Sequence, residues 1–466
     1  MSLTLHLLPF AQPAQRSRRQ IVLDLRALST EAAGALKSLA HTKNHCIHAQ
    51  ISEEVPDPPS AVLLTSARPC GHSPERRPPE HAAVFSGMLA RAPPAPTLMD
   101  QGLMTPLVHT PRAVLITGAA GFIGSNLVHR LLQLDPRAHV VGFDKLTYAG
   151  SLENLADADP QRFTFVQGDI CDGTLVAKLL REHKIDTILH LAAESHVDRS
   201  IDGPAAFVQT NVVGTYAMLE AARTVWLLEG AANRLAEEGQ TVRFHHVSTD
   251  EVYGDLDLHE PGFTETTPYQ PSSPYSASKA GSDHLVRAWG RTYKLSVTLS
   301  NCSNNYGPRQ HAEKLIPTVV RKCLQRQPIP VYGKGENVRD WLYVDDHCDA
   351  LLHIVSHGSQ GETYNVGGNN EWSNLQLVQK LATLTAQAVG TPAKELIDLI
   401  TFVTDRPGHD RRYAIDASKL AGLGWQPTTE FDEGLLTTIN WYIHKFRSEG
   451  LVEPGRLGLH SGTEGP

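Results

Sequence analysis

An α/β fold built on a doubly wound parallel sheet, with a smaller C-terminal domain, is predicted by three observations. Short apolar stretches alternate with segments of helical periodicity from residue 113 onward, the pattern that successive strand, helix, strand units produce. A glycine-rich turn joins the first of these strands to the first helix. Ionisable residues fall just where a later strand ends, the edge at which open α/β sheets place their ligands.

The first 111 residues stand apart. They hold 14 of the 30 prolines, with Pro58-Pro59, Pro78-Pro79 and Pro93-Pro94 among them, and no periodic pattern persists. Such a composition cannot bury enough apolar surface to offset the entropy of ordering, so 1–111 is expected to be a mostly disordered leader with at most a short helix over 30–40. The apolar run 3–10 has no basic segment before it, which argues against a secretory signal. A start at Met104 would leave a complete domain, which makes a non-functional leader the plainer expectation.

The strand at 113–116 runs into Thr117-Gly118-Ala119-Ala120-Gly121-Phe122-Ile123-Gly124, and 125–134 follows with helical periodicity. Glycines here let the backbone approach a pyrophosphate and leave N–H groups free at a helix start, where the dipole favours an anion. The spacing departs from Gly-x-Gly-x-x-Gly, so its context matters. A second strand, 139–143, ends at Asp144, twenty residues beyond Gly124, where a carboxylate can accept the adenosine ribose hydroxyls. That favours NAD over NADP, although the adjacent Lys145 could instead meet a 2′-phosphate. Further strands at 163–166, 187–191, 242–247 and 295–299 alternate with helical stretches, as a parallel sheet requires.

The strand at 242–247 leads into Ser248-Thr249-Asp250-Glu251, which sets a hydroxyl and two carboxylates side by side. In an open sheet these would point into the ligand crevice as acid and base groups, and the plain alternative is a polar turn that caps the next helix. Downstream, Tyr275 and Lys279 are four residues apart and share a helical face. A nearby ammonium favours the phenolate, so such a Tyr could take a hydroxyl proton that a free phenol, titrating near about 10, takes poorly at neutral pH.

The bulk numbers exclude several classes. A chain of 466 residues, 41% hydrophobic and 20% charged, suits a globular enzyme of two or three domains. Its net charge of −8 argues against a general nucleic-acid binder, which needs a basic surface to neutralise phosphates. The six cysteines form no Cys-x-x-Cys pair, and the 23 histidines form no His-Glu-x-x-His. Neither a metal site nor a disulfide framework is expected, and a reducing compartment is. No apolar run approaches the ~20 residues of a bilayer span.

With Gly118-x-x-Gly121-x-x-Gly124, Thr249-Asp250-Glu251 and Tyr275-x-x-x-Lys279 in this order, the chain resembles the extended short-chain dehydrogenase/reductases, and within them the nucleotide-sugar 4,6-dehydratases. The likeness runs from about residue 113 to about residue 446. It includes the stretches from Asp144 to Gly150 and from Leu191 to Ser200, Asn304-Asn305-Tyr306-Gly307-Pro308, and Asp405-Arg406-Pro407-Gly408-His409-Asp410. It covers none of residues 1–111. The resemblance implies a Rossmann-type NAD domain over 112–301 and a smaller, mainly nucleotide-sugar-binding domain over 302–450. Residues 340–368 would cross back to the NAD domain, and 451–466 would be a flexible tail.

By the same resemblance NAD would be held by Gly118, Gly121, Phe122, Ile123, Gly124, Asp144, Lys145, Leu146, Thr147, Asp169, Ile170, Leu191, Ala192, Ala193, Thr210, Tyr275, Lys279 and Asn305. The nucleotide sugar, dTDP-glucose, would meet Ser195, Thr249, Asn304, Lys314, Leu315, Pro330, Val331, Tyr332, Arg339, Asn374, Asp405, Arg406, Pro407, Gly408 and His409. Taken singly these have plain alternatives: Arg339 could pair with Asp340 or Asp345 on a surface, and Asn304 could be a turn residue.

The implied chemistry is the loss of water across C5 and C6 of a hexose, which requires a ketone at C4 first because the C5 hydrogen is otherwise not acidic. Tyr275 would accept the C4 hydroxyl proton while NAD takes the C4 hydride, with Lys279 holding the ribose and lowering the phenol pKa. Glu251 would remove the C5 proton, protonated Asp250 would protonate the departing C6 hydroxyl, NADH would return hydride to C6, and Thr249 would bond the C4 oxygen. The product would feed deoxysugar biosynthesis such as that of dTDP-rhamnose. A cytoplasmic homodimer built on helices that include the Tyr275 helix is implied as well. A 4-epimerase or another nucleotide-sugar dehydratase is the nearest competitor, and a non-catalytic nucleotide sensor is the competitor from another class. The Asp-Glu pair argues for dehydration, since epimerisation needs only the Tyr and Lys.

Overall fold

The computed structural model describes residues 108–405 and 408–451, and the backbone of three short strands before them. Those strands, Ile21–Asp24, Ala61–Thr65 and His48–Ala49, pair antiparallel in that order within a separate unit of residues 1–98. They form on the apolar runs Ile21-Val22-Leu23 and Val62-Leu63-Leu64, in a leader expected to be mostly without order. The helix expected over 30–40 and the tail from 452 lie outside the described residues.

In the larger unit, six parallel strands come first: β1 (Ala113–Thr117), β2 (His139–Asp144), β3 (Phe163–Gln167), β4 (Thr187–His190), β5 (Arg243–Thr249) and β6 (Val297–Cys302). A second region then adds β7 (Asn304–Tyr306), β8 (Ile329–Tyr332) and β9 (Val338–Tyr343) before β10 (Thr363–Val366) returns to pair with β6. The finished sheet has the order β3-β2-β1-β4-β5-β6-β10. Chain order reverses between β1 and β4, and that reversal opens the crevice in which such sheets bind ligands.

Both faces of the sheet are covered, so β1 reads as an unbroken apolar run. Val114 and Ile116 point to one face with Leu127 of α1 (Phe122–Leu134), whereas Leu115 points to the other with Val176 of α2 (Gly173–Glu182) and Met218 of α3 (Thr215–Ala222). Burying each such side chain contributes about 1.5–3 kcal/mol. On the second face lies α4 (Pro274–Tyr293), started by a reciprocal cap between Ser273 and Ser276 with Pro274 in its first turn.

The second region packs α5 (Leu315–Gln325), a helix α7 (Asn374–Val389) and α8 (Phe431–Ser448) around Ile316, Leu381 and Ile439. Between them in sequence, α6 (Val344–His357) lies on the first face beside α1, where Arg130 and Asp349 form a two-pronged ion pair at 2.7 Å. Strand β9 pairs with β7 and with β11 (Glu371–Ser373), and β8 pairs with β12 (Ile400–Val403).

Candidate active site

The glycine turn is built by steric necessity. Gly118 has φ +70°, and a Cβ there would stand 3.0 Å from the Ala192 backbone. A Cβ on Gly124 would overlap the Gly118 carbonyl oxygen. The turn therefore lies tight against β4, and no side chain caps the start of α1 at Gly121. Its first N–H groups face a cavity of about 340 Å³ lined by Gly118, Gly121, Phe122, Ile123 and Gly124, the arrangement that receives a pyrophosphate.

Asp144 sits at the end of β2 with its carboxylate fixed by two backbone donors, Ala120 N at 3.0 Å and Leu146 N at 2.8 Å. Lys145, which lines the same cavity, pairs with Asp169 at 2.7 Å, so the cation that could have met a 2′-phosphate is engaged. The same cavity is lined by Thr147, Ile170, Leu191, Ala193 and Thr210. Leu146 is not among the lining residues, but its N–H orients Asp144. An oriented carboxylate at the strand end, an uncapped helix start and a turn with no room for side chains fit NAD.

At the other end of the cavity, Thr249 closes β5, all seven residues of which are buried. Its hydroxyl accepts from Glu251 N at 3.3 Å and so caps the short 3₁₀ turn Asp250–Val252. The plain reading of a polar cap and the reading as reactive groups thus hold together, because the cap fixes both carboxylates. Asp250 is 2% exposed, and its Oδ2 meets no hydrogen-bond partner among the described residues. Burial first, then the charges of Glu251 and Asp340, push its carboxyl well above the usual range. Its protonated form is thus favoured next to Glu251, which is half-buried.

Tyr275 and Lys279 project from α4 into the same cavity. Burial, followed by the Glu251 charge, holds the Tyr275 phenol well above its ordinary value, and the Thr249 hydroxyl works against that. Burial thus opposes the phenolate that the Lys279 ammonium is expected to favour. Both groups are buried, and the Lys279 ammonium donates to Val247 O at 2.8 Å and approaches His246 Nε2 at 3.4 Å. Burial also lowers Lys279 from its usual range.

Of the expected sugar-nucleotide contacts, Ser195, Asn304 and Lys314 line this cavity together with Asn305, and Lys314 Nζ donates to Ser195 O at 3.2 Å. Leu315, at the start of α5, packs against the second core. Thr249 lines the cavity as well, and the other described ones are not among its lining residues. In β8 Pro330 and Tyr332 are exposed while Val331 points inward at 3% exposure, because alternate residues of a strand face opposite ways. Only the backbone of Val331 is presented. Tyr332 meets the His409 ring edge-on at 6.3 Å, and His409 Nδ1 is 2.7 Å from Asp405 Oδ1 beside Gly408. Asn374 opens α7, and its N–H donates to Asn337 O at 2.9 Å. Arg406 and Pro407 lie outside the described residues.

Arg339 does not form the surface pair weighed for it. It is 6% exposed, donates to Val338 O at 2.7 Å and Asp410 O at 2.9 Å, and lies over the Tyr413 ring. Sequence reading missed Glu194, Cys302, Ser303, Gln310, His311 and Glu313, which also line the cavity. Of these, Cys302 could have been found from its place at the end of β6. The rest sit in loops without periodicity. No group of three His, Cys, Asp or Glu able to hold a metal ion is found among the described residues.

A parallel sheet with a glycine turn, an acidic residue closing its second strand, and Tyr and Lys one helical turn apart defines an NAD-dependent short-chain dehydrogenase/reductase. Comparison with known proteins refines this. The GDP-mannose 4,6 dehydratase family model matches residues 115–438. The dTDP-glucose 4,6-dehydratase of Shigella flexneri is 53% identical over 340 residues, 71% of this chain and 92% of the relative. That of Xanthomonas campestris pv. campestris strain B100 is 55% identical over 333 residues, with 71% and 92% covered. Among solved structures, dTDP-glucose 4,6-dehydratase of Bacillus anthracis in complex with NAD superposes with a TM-score of 0.62 at 42% identity, covering 73% of this chain and 99% of that one. The chain belongs to the GDP-mannose 4,6 dehydratase family, in its dTDP-glucose 4,6-dehydratase branch.

Proposed function

We propose that this protein is an NAD-dependent hydro-lyase that converts dTDP-glucose to dTDP-4-keto-6-deoxyglucose and water, supplying deoxysugar synthesis such as that of dTDP-rhamnose. The observation that carries the reading is one cavity holding the glycine turn, the Tyr275 and Lys279 pair and a buried Asp250 beside Glu251. NAD, when bound, would supply the acceptor and later donor of a hydride and a cationic ring at the site.

Each residue then has a task. Tyr275 takes the C4 hydroxyl proton as its phenolate, a form that burial disfavours and that positive charge close by would favour. Lys279 holds the ribose and supplies part of that charge. Thr249 donates to the C4 oxygen as the ketone forms. Glu251 removes the C5 proton, now α to a carbonyl, and Asp250 delivers its proton to the leaving C6 hydroxyl. Two adjacent carboxylates can serve as acid and base because burial and the Glu251 charge favour the protonated form of Asp250. Asp144 orients the adenosine ribose. Ser195, Asn304 and Lys314 hold the sugar end, and Tyr332, Arg339, Asn374 and residues 405–409 hold the nucleotide.

We also read residues 112–301 as the NAD domain and 302–450 as mainly the substrate domain, with 340–368 returning; α6 and β10 support this by packing on the first sheet. A homodimer is supported by exposed Val208, Val213, Tyr216 and Tyr293 along α3, α4 and the π-helical segment Val208–Gly214 before α3. Among the described residues no helix is long and apolar enough to cross a membrane. Four described cysteines are free thiols, which supports a cytoplasmic site of action.

The test is incubation of the purified protein with dTDP-glucose, following the 4-keto product by NMR, with UDP-glucose in parallel. Absence of product from either sugar overturns the reading, and preference for UDP-glucose overturns the base assignment. Light scattering of the eluted protein reports the oligomer, and a monomer rejects the dimer.

A further inference from the structure

The helical row Tyr275, Lys279 continues one turn further to Asp283, which has 0% exposure. A carboxylate so deeply buried is costly unless it is paired. Its Oδ2 accepts from Ser248 Oγ at 2.9 Å, Tyr269 OH at 2.9 Å and Asn301 Nδ2 at 3.3 Å. Those three donors would be served as well by an amide oxygen. The charge itself is left unexplained by them.

The second oxygen explains it. Asp283 Oδ1 has no aligned hydrogen-bond donor but lies 3.3 Å from His246 Nε2. That same nitrogen is 3.4 Å from Lys279 Nζ. One imidazole nitrogen thus stands between an ammonium and a carboxylate, in a place 0–4% exposed for all three residues.

We propose that Asp283 is a positioning residue for the Tyr275 and Lys279 pair, supplying the buried counter-charge of Lys279 from the other side of His246 Nε2. Only its consequence for turnover rests on the function proposed above.

The neighbours of Lys279 leave this part to Asp283. From β4, His190 lies 5.2 Å from the His246 ring and is held neutral by burial. From β5, burial and then the Lys279 charge pull His246 down to about 4, so it too is neutral. From β6, burial pushes the Cys302 thiol up to about 12. Tyr275 and Asp250 are both held protonated by burial, and Glu251 sits on the turn beyond them. Burial likewise works against an ionised Asp283, yet the groups around it, the Lys279 charge and the Ser248 hydroxyl among them, outweigh burial and hold its carboxyl below the usual range. Arg287, from the next turn of α4, reaches Asp283 only through Tyr269, to whose hydroxyl it donates at 2.7 Å.

The test reads Lys279 directly in the full-length protein by carbon-13 NMR of its ε-carbon, assigned by its loss in Lys279→Arg. Asp283→Asn keeps the shape and removes the charge, and is expected to lower the Lys279 midpoint by about one pH unit or more. Tyr269→Phe removes a donor to the other oxygen but keeps the charge, and should leave the midpoint in place. A folded Asp283→Asn protein with an unmoved midpoint overturns the proposal. Should Asp283→Asn fail to fold, reciprocity supplies a second measurement, since Lys279→Met must then raise the Asp283 carboxyl midpoint by a comparable amount. An unmoved Asp283 overturns the proposal equally.

In turnover, activity that needs the Lys279 ammonium is present below its midpoint and lost as pH rises through it. The alkaline limb of C4 oxidation should therefore move to lower pH in Asp283→Asn. If the wild type forms no 4-keto sugar, the proposed function fails while the Lys279 titration still decides this one.

Discussion

Lys279 Nζ donates to the Val247 carbonyl at 2.8 Å, which fastens the first half of α4 to the strand that ends in Thr249. Helix and strand end are thus registered by the lysine and not by the tyrosine one turn before it. Tyr275→Phe should leave the site's geometry and NAD binding nearly intact while slowing C4 oxidation by about 10²- to 10⁴-fold. Single-turnover NADH absorbance reads the oxidation, and turnover equal to wild type would sink the role given to Tyr275.

The two carboxylates should separate by isotope exchange. Glu251→Gln cannot accept the C5 proton, so it should form 4-keto sugar and NADH yet take up no solvent deuterium at C5. Asp250→Asn cannot supply a proton, so exchange should persist while water loss slows by about 10²- to 10⁴-fold. Wild-type exchange in Glu251→Gln would require the acid and base labels to be redrawn.

Asp250 also makes a stability prediction. Its folded pKa is raised by burial, so the native state holds a proton that the unfolded chain releases above about 4. Stability contributed by the protonated form is complete below that pH and is lost as pH rises toward the folded value. Asp250→Asn escapes the loss. Its melting temperature should exceed wild type at neutral pH, with the gap closing as pH falls toward 4. A variant less stable than wild type at every pH would contradict this.

Gly124→Ala tests the turn. The new methyl overlaps the Gly118 carbonyl oxygen, so the turn must shift where it should receive the pyrophosphate. We expect about 1–3 kcal/mol of destabilisation and at least a tenfold loss of NAD affinity. Calorimetric titration with NAD decides it, and unaltered binding would show that the turn lies away from the cofactor.

Much of this was legible in the sequence for local reasons. The run 113–116, the glycines after it and Asp144 at the end of the next strand follow from periodicity and turn chemistry. Tyr275 and Lys279 follow from helical spacing. The features that stayed hidden depend on residues distant in the chain. Nothing in the spacing says that Tyr275 would be buried enough to keep its proton, that Arg339 would be taken up by the Asp410 carbonyl, or that Lys145 would be drawn to Asp169. His246 and Asp283 read as an ordinary strand residue and an ordinary helix residue until the fold sets them 3.3 Å apart.

The return of β10 to the edge of β6 has a consequence for how the protein can be made. During synthesis β6 emerges well before its last partner, and until residue 366 leaves the ribosome its ladder lacks a neighbour on that side. The exposed edge would be Val297–Cys302, six residues that are all buried in the finished sheet. Such an edge is a template for pairing between chains. A fragment stopped at residue 301 should therefore accumulate as aggregate, and no soluble cofactor-binding half is to be expected from it. The sheet has to be finished by sequence that belongs, in chain order, to the other half of the enzyme.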